Sequence, residues 1–269
     1  MNTRKKIFTV AGWAVLVLAL VLIYLPILLV IAYSFVDSKF VGASGDVGFA
    51  LYERLFSNDK LMEAAANTII IGLVSALIAT VLGTVSAVGI HYLKRGKQAV
   101  NIVSQLTVYN AEIVTAVGLF LLVIFLKNIN IPVSRGMGWL ILCHTVMTVP
   151  YVILTVSPRL GQLNPNLFEA GMDLGAGSLR TMFTVIFPQL IKGMISGFAL
   201  AFTLSLDDFV VTNLNRGSVN TISTYVFNSI RRGIDPAVRA LSTIIFVVVL
   251  AVLVAVNIAG KKKNKSKYK

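Results

Sequence analysis

The chain has 269 residues, 57% of them hydrophobic and only 13% charged, with one cysteine and a net charge of +13. A soluble domain of this size does not stay dispersed with that balance, so the solvent is lipid. Cys143 alone excludes a disulfide framework or thiolate cluster within the chain, and His91 and His144 are too few and too scattered for a metal site, so both read as core or interface histidines.

In chain order, six apolar runs are long enough to cross a bilayer, which takes roughly 20 mostly apolar residues. They cover about 8–35, 64–92, 99–126, 137–156, 189–214 and 238–260. Each run is continuous, whereas a membrane barrel strand alternates over about ten residues. The expected fold class is therefore all-α, a polytopic membrane protein with six transmembrane helices in a single domain over 1–269. Arg4, Lys5 and Lys6 precede the first run as in a signal peptide, but the run exceeds an h-region and no small-x-small cleavage pattern follows, so it reads as a retained span.

Orientation follows the basic residues, which stay on the cytoplasmic side. The N-terminus, the loop with Lys94, Arg95 and Lys97, the segment from Arg159 to Lys192, and the tail 261–269 carry 15 of the 24 Lys and Arg, and the opposite face carries nine. Both termini are expected inside. The basic excess is juxtamembrane, and the tail suits anionic lipid headgroups rather than nucleic acid.

The external segment 36–63 is polar, with Gly42, Gly45 and Gly48 ahead of the amphipathic Leu51, Leu55 and Phe56, and reads as a connector. The external segment 215–237 carries Arg231, Arg232, Asp235 and Pro236. It reads equally as a docking loop for an external partner or as a solvated loop.

The informative loop is cytoplasmic, 158–188. Asn164 followed by Pro165 predicts an N-cap with proline at the first helical position. The short helix through Leu167, Phe168, Glu169, Ala170 and Met172 is expected to stop at Gly175, which tolerates positive φ. Ser178 then caps a second helix carrying Leu179, Met182, Phe183 and Ile186 to Pro188, where the direction changes. Leu167, Phe168 and Met172 are expected on the cytoplasmic surface. Two readings of that apolar face stand: a partner covers it, or it folds back on the bundle or the membrane interface.

Three carboxylates fall inside predicted spans: Glu112, Asp207 and Asp208. Each would cost about 2.5–3.5 kcal/mol facing mid-bilayer, so they face protein or water. Asp207 lies fifteen residues beyond Lys192, about 22 Å at 1.5 Å per residue, in the outer half of span five. On a continuous helix Asp208 shares a face with Ser205 and Thr212, and Asp207 groups with Thr203. Tyr109, Glu112 and Thr115 form a strip on span three. Carboxylates with a ring face suit a cation, which makes Glu112 and Asp208 the preferred lining of a route, with Asp207 and Tyr109 beside them. The alternative is that the acids pair with basic residues or cap helix N–H groups, with Tyr109 in packing.

Adjacent Asp207 and Asp208 diverge on a helix and cannot share a proton as an aspartyl protease pair does, so an enzyme reading has no support. A Walker motif is missing as well, because Gly89, Gly96 and Lys97 have the wrong spacing and Gln98 follows the lysine. A secondary transporter would show an internal repeat, and none is evident between the halves.

Glu169-Ala170-Gly171, then Gly175, then Val185-Ile186-Phe187-Pro188 resembles the E-A-A-x3-G-x9-I-x-L-P loop of binding-protein-dependent ABC importer permeases, with Gly171, Val185 and Phe187 as departures. The resemblance implies a type I, MetI-like permease fold in a prokaryotic plasma membrane. It also implies a coupling role for the loop against a dimer of cytoplasmic ATPase subunits that handles the ATP, no cofactor on this chain, a second homologous permease, and an extracytoplasmic binding protein. Tyr24-Leu25-Pro26 and Tyr33-Ser34-Phe35, Glu112-Ile113-Val114, and Ser205 to Phe209 resemble spermidine/putrescine permeases of the PotC type, implying polyamine cargo. Those permeases usually carry proline before the span-three glutamate. Here Ala111 stands in its place, without the ring that would impose a helix break.

Overall fold

A computed structural model describes residues 3–38, 40–93, 95–230, 235–248 and 250. Lys94, Arg231, Arg232, most of 249–260 and the basic tail lie outside the described residues. Among the described residues the fold is all-α apart from one small ribbon, and four helices are long and apolar enough to cross a bilayer: Ala11–Tyr33, Asp59–Tyr92, Met137–Gly161 and Ser178–Asp207. There are five spans if the pair Lys97–Tyr109 and Glu112–Asn128, bent by 101°, counts as one. The sixth predicted run is described over Ala237–Val248, shorter than a span.

The described residues fall into two compact units, one within Met1–Met62 and Val226–Lys269, the other Glu63–Tyr225. In the first, α1 (Thr3–Tyr33) leads to an antiparallel ribbon, β1 (Val36–Asp37) with β2 (Asp46–Val47), and then α2 (Ala50–Ser57). The predicted connector is thus ordered. Arg54 grips the Asp37 carboxylate through two hydrogen bonds of 3.0 and 2.8 Å, and the Tyr52 hydroxyl lies 2.9 Å from Ser34 Oγ. Gly45 has no room for a side chain, because a Cβ there would sit 2.3 Å from the Asp37 carbonyl oxygen. Asp235 is turned inward to its own unit: Oδ1 accepts the Ala237 N–H, capping the Ala237–Val248 helix, and Oδ2 accepts from Asn58.

The second unit holds α3 (Asp59–Tyr92, shared with the first), α4 (Lys97–Tyr109), α5 (Glu112–Asn128), α6 (Met137–Gly161), α7 (Leu167–Asp173), α8 (Ser178–Thr181), a π-helical turn over Met182–Ile186, α9 (Phe187–Asp207), α10 (Val210–Asn215) and the start of α11 (Ile222–Ile230). Lipid tails are as apolar as leucine, so helix association here depends on close backbone approach. Ala76, Ala79 and Ala87 of α3 meet Val152, Ile153 and Val156 of α6, with Leu190 and Ala201 of α9 alongside. A Cβ on Gly83 would lie 2.6 Å from Val152 Cβ, and one on Gly197 would lie 2.7 Å from Thr155 Oγ1. A second cluster packs Ala116, Leu119 and Val123 of α5 on Trp139, Cys143 and Met147 of α6, with Val211 of α10, so Cys143 is a packing residue.

Two expectations of continuous spans are corrected. Span three breaks at Asn110 and Ala111, both extended (ψ 144° and 133°), without the proline. Asparagine competes with helical backbone, and Glu112 in the first turn of α5 favours the positive end of a new helix. Span five breaks at Asp208 (ψ 125°), where the carboxylate caps α10.

Candidate functional site

The break at Asp208 sorts the acidic residues. Asp208 is buried: its Oδ1 accepts the Val211 N–H at 3.2 Å, and its Oδ2 accepts the Thr212 N–H and hydroxyl, each at 2.8 Å. That is the capping role left open by the sequence. Ser205, Asp208 and Thr212 do come together, but through His144 and not along one helical face: His144 Nδ1 is 2.6 Å from Ser205 Oγ and Nε2 is 2.9 Å from Thr212 Oγ1.

Asp207, the last residue of α9, is exposed with Thr203, as helical periodicity predicts. Glu112 is also exposed, and it lies within electrostatic range of Asp207 and Asp208. A small crevice of about 10 Å³ is lined by Thr107, Asn110, Glu112, Thr115, Met147, Tyr151 and Leu204. The predicted strip of Tyr109, Glu112 and Thr115 is split, because the break leaves Tyr109 on α4, 82% exposed and outside this crevice. The aromatic ring beside Glu112 is instead Tyr151 of α6. A sequence signal existed for it: His144, Thr148, Tyr151 and Thr155 recur at helical spacing through an apolar span.

In the cytoplasmic elbow, Asn164 Oδ1 accepts the Asn166 N–H at 3.0 Å, and the helix proper begins at Leu167, after Pro165. Gly175 ends it at φ +82°, with its N–H on the Met172 carbonyl at 2.9 Å and the Ala176 N–H on Gly171 at 3.3 Å. Ser178 makes no side-chain cap, contrary to expectation. Gly177, in extended conformation, supplies the carbonyl that accepts the Thr181 N–H at 2.9 Å.

The exposed face also differs from the predicted one. Leu167 and Phe168 are half-buried against the core of α3, α6 and α9, and the Phe168 ring centroid is 5.3 Å from that of Tyr92. They share one side of α7 with buried Gly171, at positions i, i+1 and i+4. The other side presents Glu169, Ala170 and Met172, and beyond it Leu174, Leu179 and Phe183 are 90%, 76% and 66% exposed. Pro188, also exposed, stands at the start of α9. Leu174 went unpredicted.

Gly171 stands where the loop pattern has alanine, and Thr181 explains it: a Cβ would lie 2.5 Å from Thr181 Cγ2. Overpacking of this kind costs about 1–3 kcal/mol. Gly171→Ala is expected to lower the melting temperature of the purified complex, and Thr181→Ser, which removes the clashing methyl, is expected to restore it.

Residues 79–261 match the family of binding-protein-dependent transport system inner membrane components. The chain belongs to this family. The permease is 33% identical over 244 residues to the spermidine/putrescine transport system permease protein PotC of Haemophilus influenzae, covering 90% of this chain and 93% of that relative. It is 34% identical over 235 residues to the putrescine transport system permease protein PotI of Escherichia coli, covering 86% and 84%.

Its fold matches a bacterial ABC transporter that imports the acidic polysaccharide alginate, at a TM-score of 0.71 over 97% of this chain and 98% of that one, with 13% identity. It also matches a bacterial alginate ABC transporter in complex with a pentasaccharide-bound periplasmic protein, at a TM-score of 0.73 over 94% and 92%, with 17% identity. At such identities the likeness is one of fold. The permease is a multi-pass membrane subunit of a binding-protein-dependent transport system, a transport subunit and not an enzyme.

Proposed function

We propose that the permease carries polyamines, spermidine or putrescine, into the cell. The observation that carries this reading is that relatives matched over 86% to 90% of the chain are named for spermidine and putrescine. The chemistry agrees: exposed Glu112 and Asp207 in electrostatic range of each other, with the Tyr151 ring in the Glu112 crevice, suit a flexible polycation held by weak, releasable contacts. Asp208 contributes as the cap behind this pair.

In the same reading the chain has six spans with both termini and the tail 261–269 cytoplasmic. It pairs with a second, homologous permease, and the elbow within 158–188 seats in an ATPase dimer through Glu169, Ala170, Met172, Leu174 and Leu179. Leu167, Phe168, Gly171, Gly175 and Pro188 shape that elbow. An extracytoplasmic polyamine-binding protein delivers the cargo, and closure of the ATPase pair moves the elbows together to alternate access.

The test is uptake of labelled spermidine and putrescine by cells with and without this gene. ATP-dependent uptake is expected only in the first, with each polyamine competing with the other. Uptake unchanged by the deletion overturns the polyamine reading.

A further inference from the structure

The helix α4 (Lys97–Tyr109) is built inside out. Asn101, Ser104, Gln105 and Val108, at i, i+3, i+4 and i+7, lie on one face and are half-buried, whereas Ile102, Val103 and Leu106 on the opposite face are 54%, 65% and 58% exposed. Because α4 packs on α6, the side turned into the unit is three polar residues out of four and the side turned out is apolar. The helix α5, which continues the same predicted run past the break, does the reverse and turns Ala116, Leu119 and Val123 inward.

The outward apolar side chains suit lipid or a neighbouring membrane subunit. The inward polar ones need a separate reason. Polar side chains in a membrane can hold helices together by bonding across them, and these do not. Gln105 Nε2 donates to Asn101 Oδ1 at 3.2 Å and the Ser104 hydroxyl donates to the Asn101 carbonyl at 2.9 Å, both within α4. Among the described residues none of the three bonds to another helix. Gln105 Oε1 and Asn101 Nδ2 therefore have no protein partner, and half-burial leaves them within reach of water or a ligand.

This face leads to the acidic crevice. Thr107, a further half-buried hydroxyl of α4, lines it together with Asn110, Glu112 and Tyr151. From Thr107 back to Lys97 the helix extends about 15 Å at 1.5 Å per residue, toward the end that is cytoplasmic in the proposed orientation. The face carries no carboxylate. Neutral amide and hydroxyl oxygens accept from an ammonium group but hold it less strongly than a carboxylate does, which favours release.

We infer that the inward face of α4, formed by Asn101, Ser104, Gln105 and Thr107, is the cytoplasmic leg of the cargo route: a neutral, wetted strip that takes ammonium groups from the Glu112 crevice and lets them go. That the cargo is a polycation rests on the polyamine reading; that the strip is wetted does not.

The two parts are tested separately in the assembled importer in inside-out membrane vesicles. The first readout, without nucleotide, is the rate at which a water-soluble maleimide labels single introduced cysteines, with native Cys143 buried as the background. The thiolate is the reacting form and apolar surroundings suppress it, so Asn101→Cys, Ser104→Cys and Gln105→Cys are expected to label at least about tenfold faster than Ile102→Cys, Val103→Cys and Leu106→Cys. Equal rates on the two faces, faster labelling of the outer face, or no labelling of the inner one overturns the inference.

The second readout is spermidine uptake. Asn101→Leu combined with Gln105→Leu is expected to lower the maximal rate about tenfold, the factor matching one hydrogen bond to a charged group, at normal complex yield. The half-saturating concentration should hold, because Glu112 is untouched, and Gln105→Asn, which keeps the amide, should stay near the original rate. An unaltered rate in the double variant overturns the inference. So does loss of complex yield in both that variant and the smaller Asn101→Ala, Gln105→Ala pair, which assigns the face to packing. Absence of spermidine uptake by the unmutated importer sinks the polyamine reading and leaves the labelling to decide whether the strip carries water.

Discussion

Neutralising Glu112 or Asp207 is expected to raise the half-saturating polyamine concentration by about ten- to a hundredfold, and neutralising both should abolish uptake. A hydrogen bond to a charged group contributes about 1.5–3 kcal/mol, and each 1.4 kcal/mol is a factor of ten. Both side chains are exposed, so Glu112→Gln and Asp207→Asn leave no buried partner unsatisfied, and the complex should assemble at its normal yield. Asp208→Asn should behave differently. The amide keeps one acceptor but turns a donor toward the backbone N–H groups that Asp208 now receives, so its loss falls on stability, by about 1 kcal/mol, the size of a typical capping effect. Uptake kinetics and complex yield, measured together, separate the two. Full activity in the Glu112→Gln, Asp207→Asn double variant would remove these carboxylates from the route.

The contrast among the three acids marks how far the sequence could be read. Burying charge in lipid is costly enough that composition alone said none of them faces acyl chains. Which one is spent internally depended on a helix break that no glycine or proline announces: Asn110, Glu112, Asp207 and Asp208 are short polar interruptions in otherwise apolar runs, so a hydropathy run sees one span where the backbone makes two segments. The local clue at Asp208 was a capping residue followed by Thr212 four positions on. The decisive partner, His144, is 61 residues from Ser205 and has no local signature. Gly175, by contrast, was legible because positive φ at a helix end leaves few residue choices. The elbow helices were legible from motif spacing, but not the side each turns to the core. Periodicity places Gly171 with Leu167 and Met172 with Phe168, each pair four apart, yet it does not say which pair turns inward until Thr181 is seen filling the space beside Gly171.

Leu174→Asp combined with Leu179→Asp is expected to uncouple the permease from its ATPase, lowering ATP-driven uptake by more than about a hundredfold. A fully buried leucine contributes about 1.5–3 kcal/mol, so two leave the docked state short by about 3–6 kcal/mol before the cost of placing carboxylates in an apolar seat. Within the permease itself both positions are open, 90% and 76% exposed, so the substitutions break no internal packing and the protein should reach the membrane in normal amounts. Phe168→Ala is the control with the opposite signature. Its ring packs on Tyr92 and the core, so its loss should lower thermal stability while ATPase still co-purifies. The measurement is ATPase co-elution alongside uptake. If the double aspartate variant retains the ATPase and imports at the original rate while Phe168→Ala releases it, the docking surface is the half-buried face first suggested by the sequence, and α7 must turn over on binding to present it.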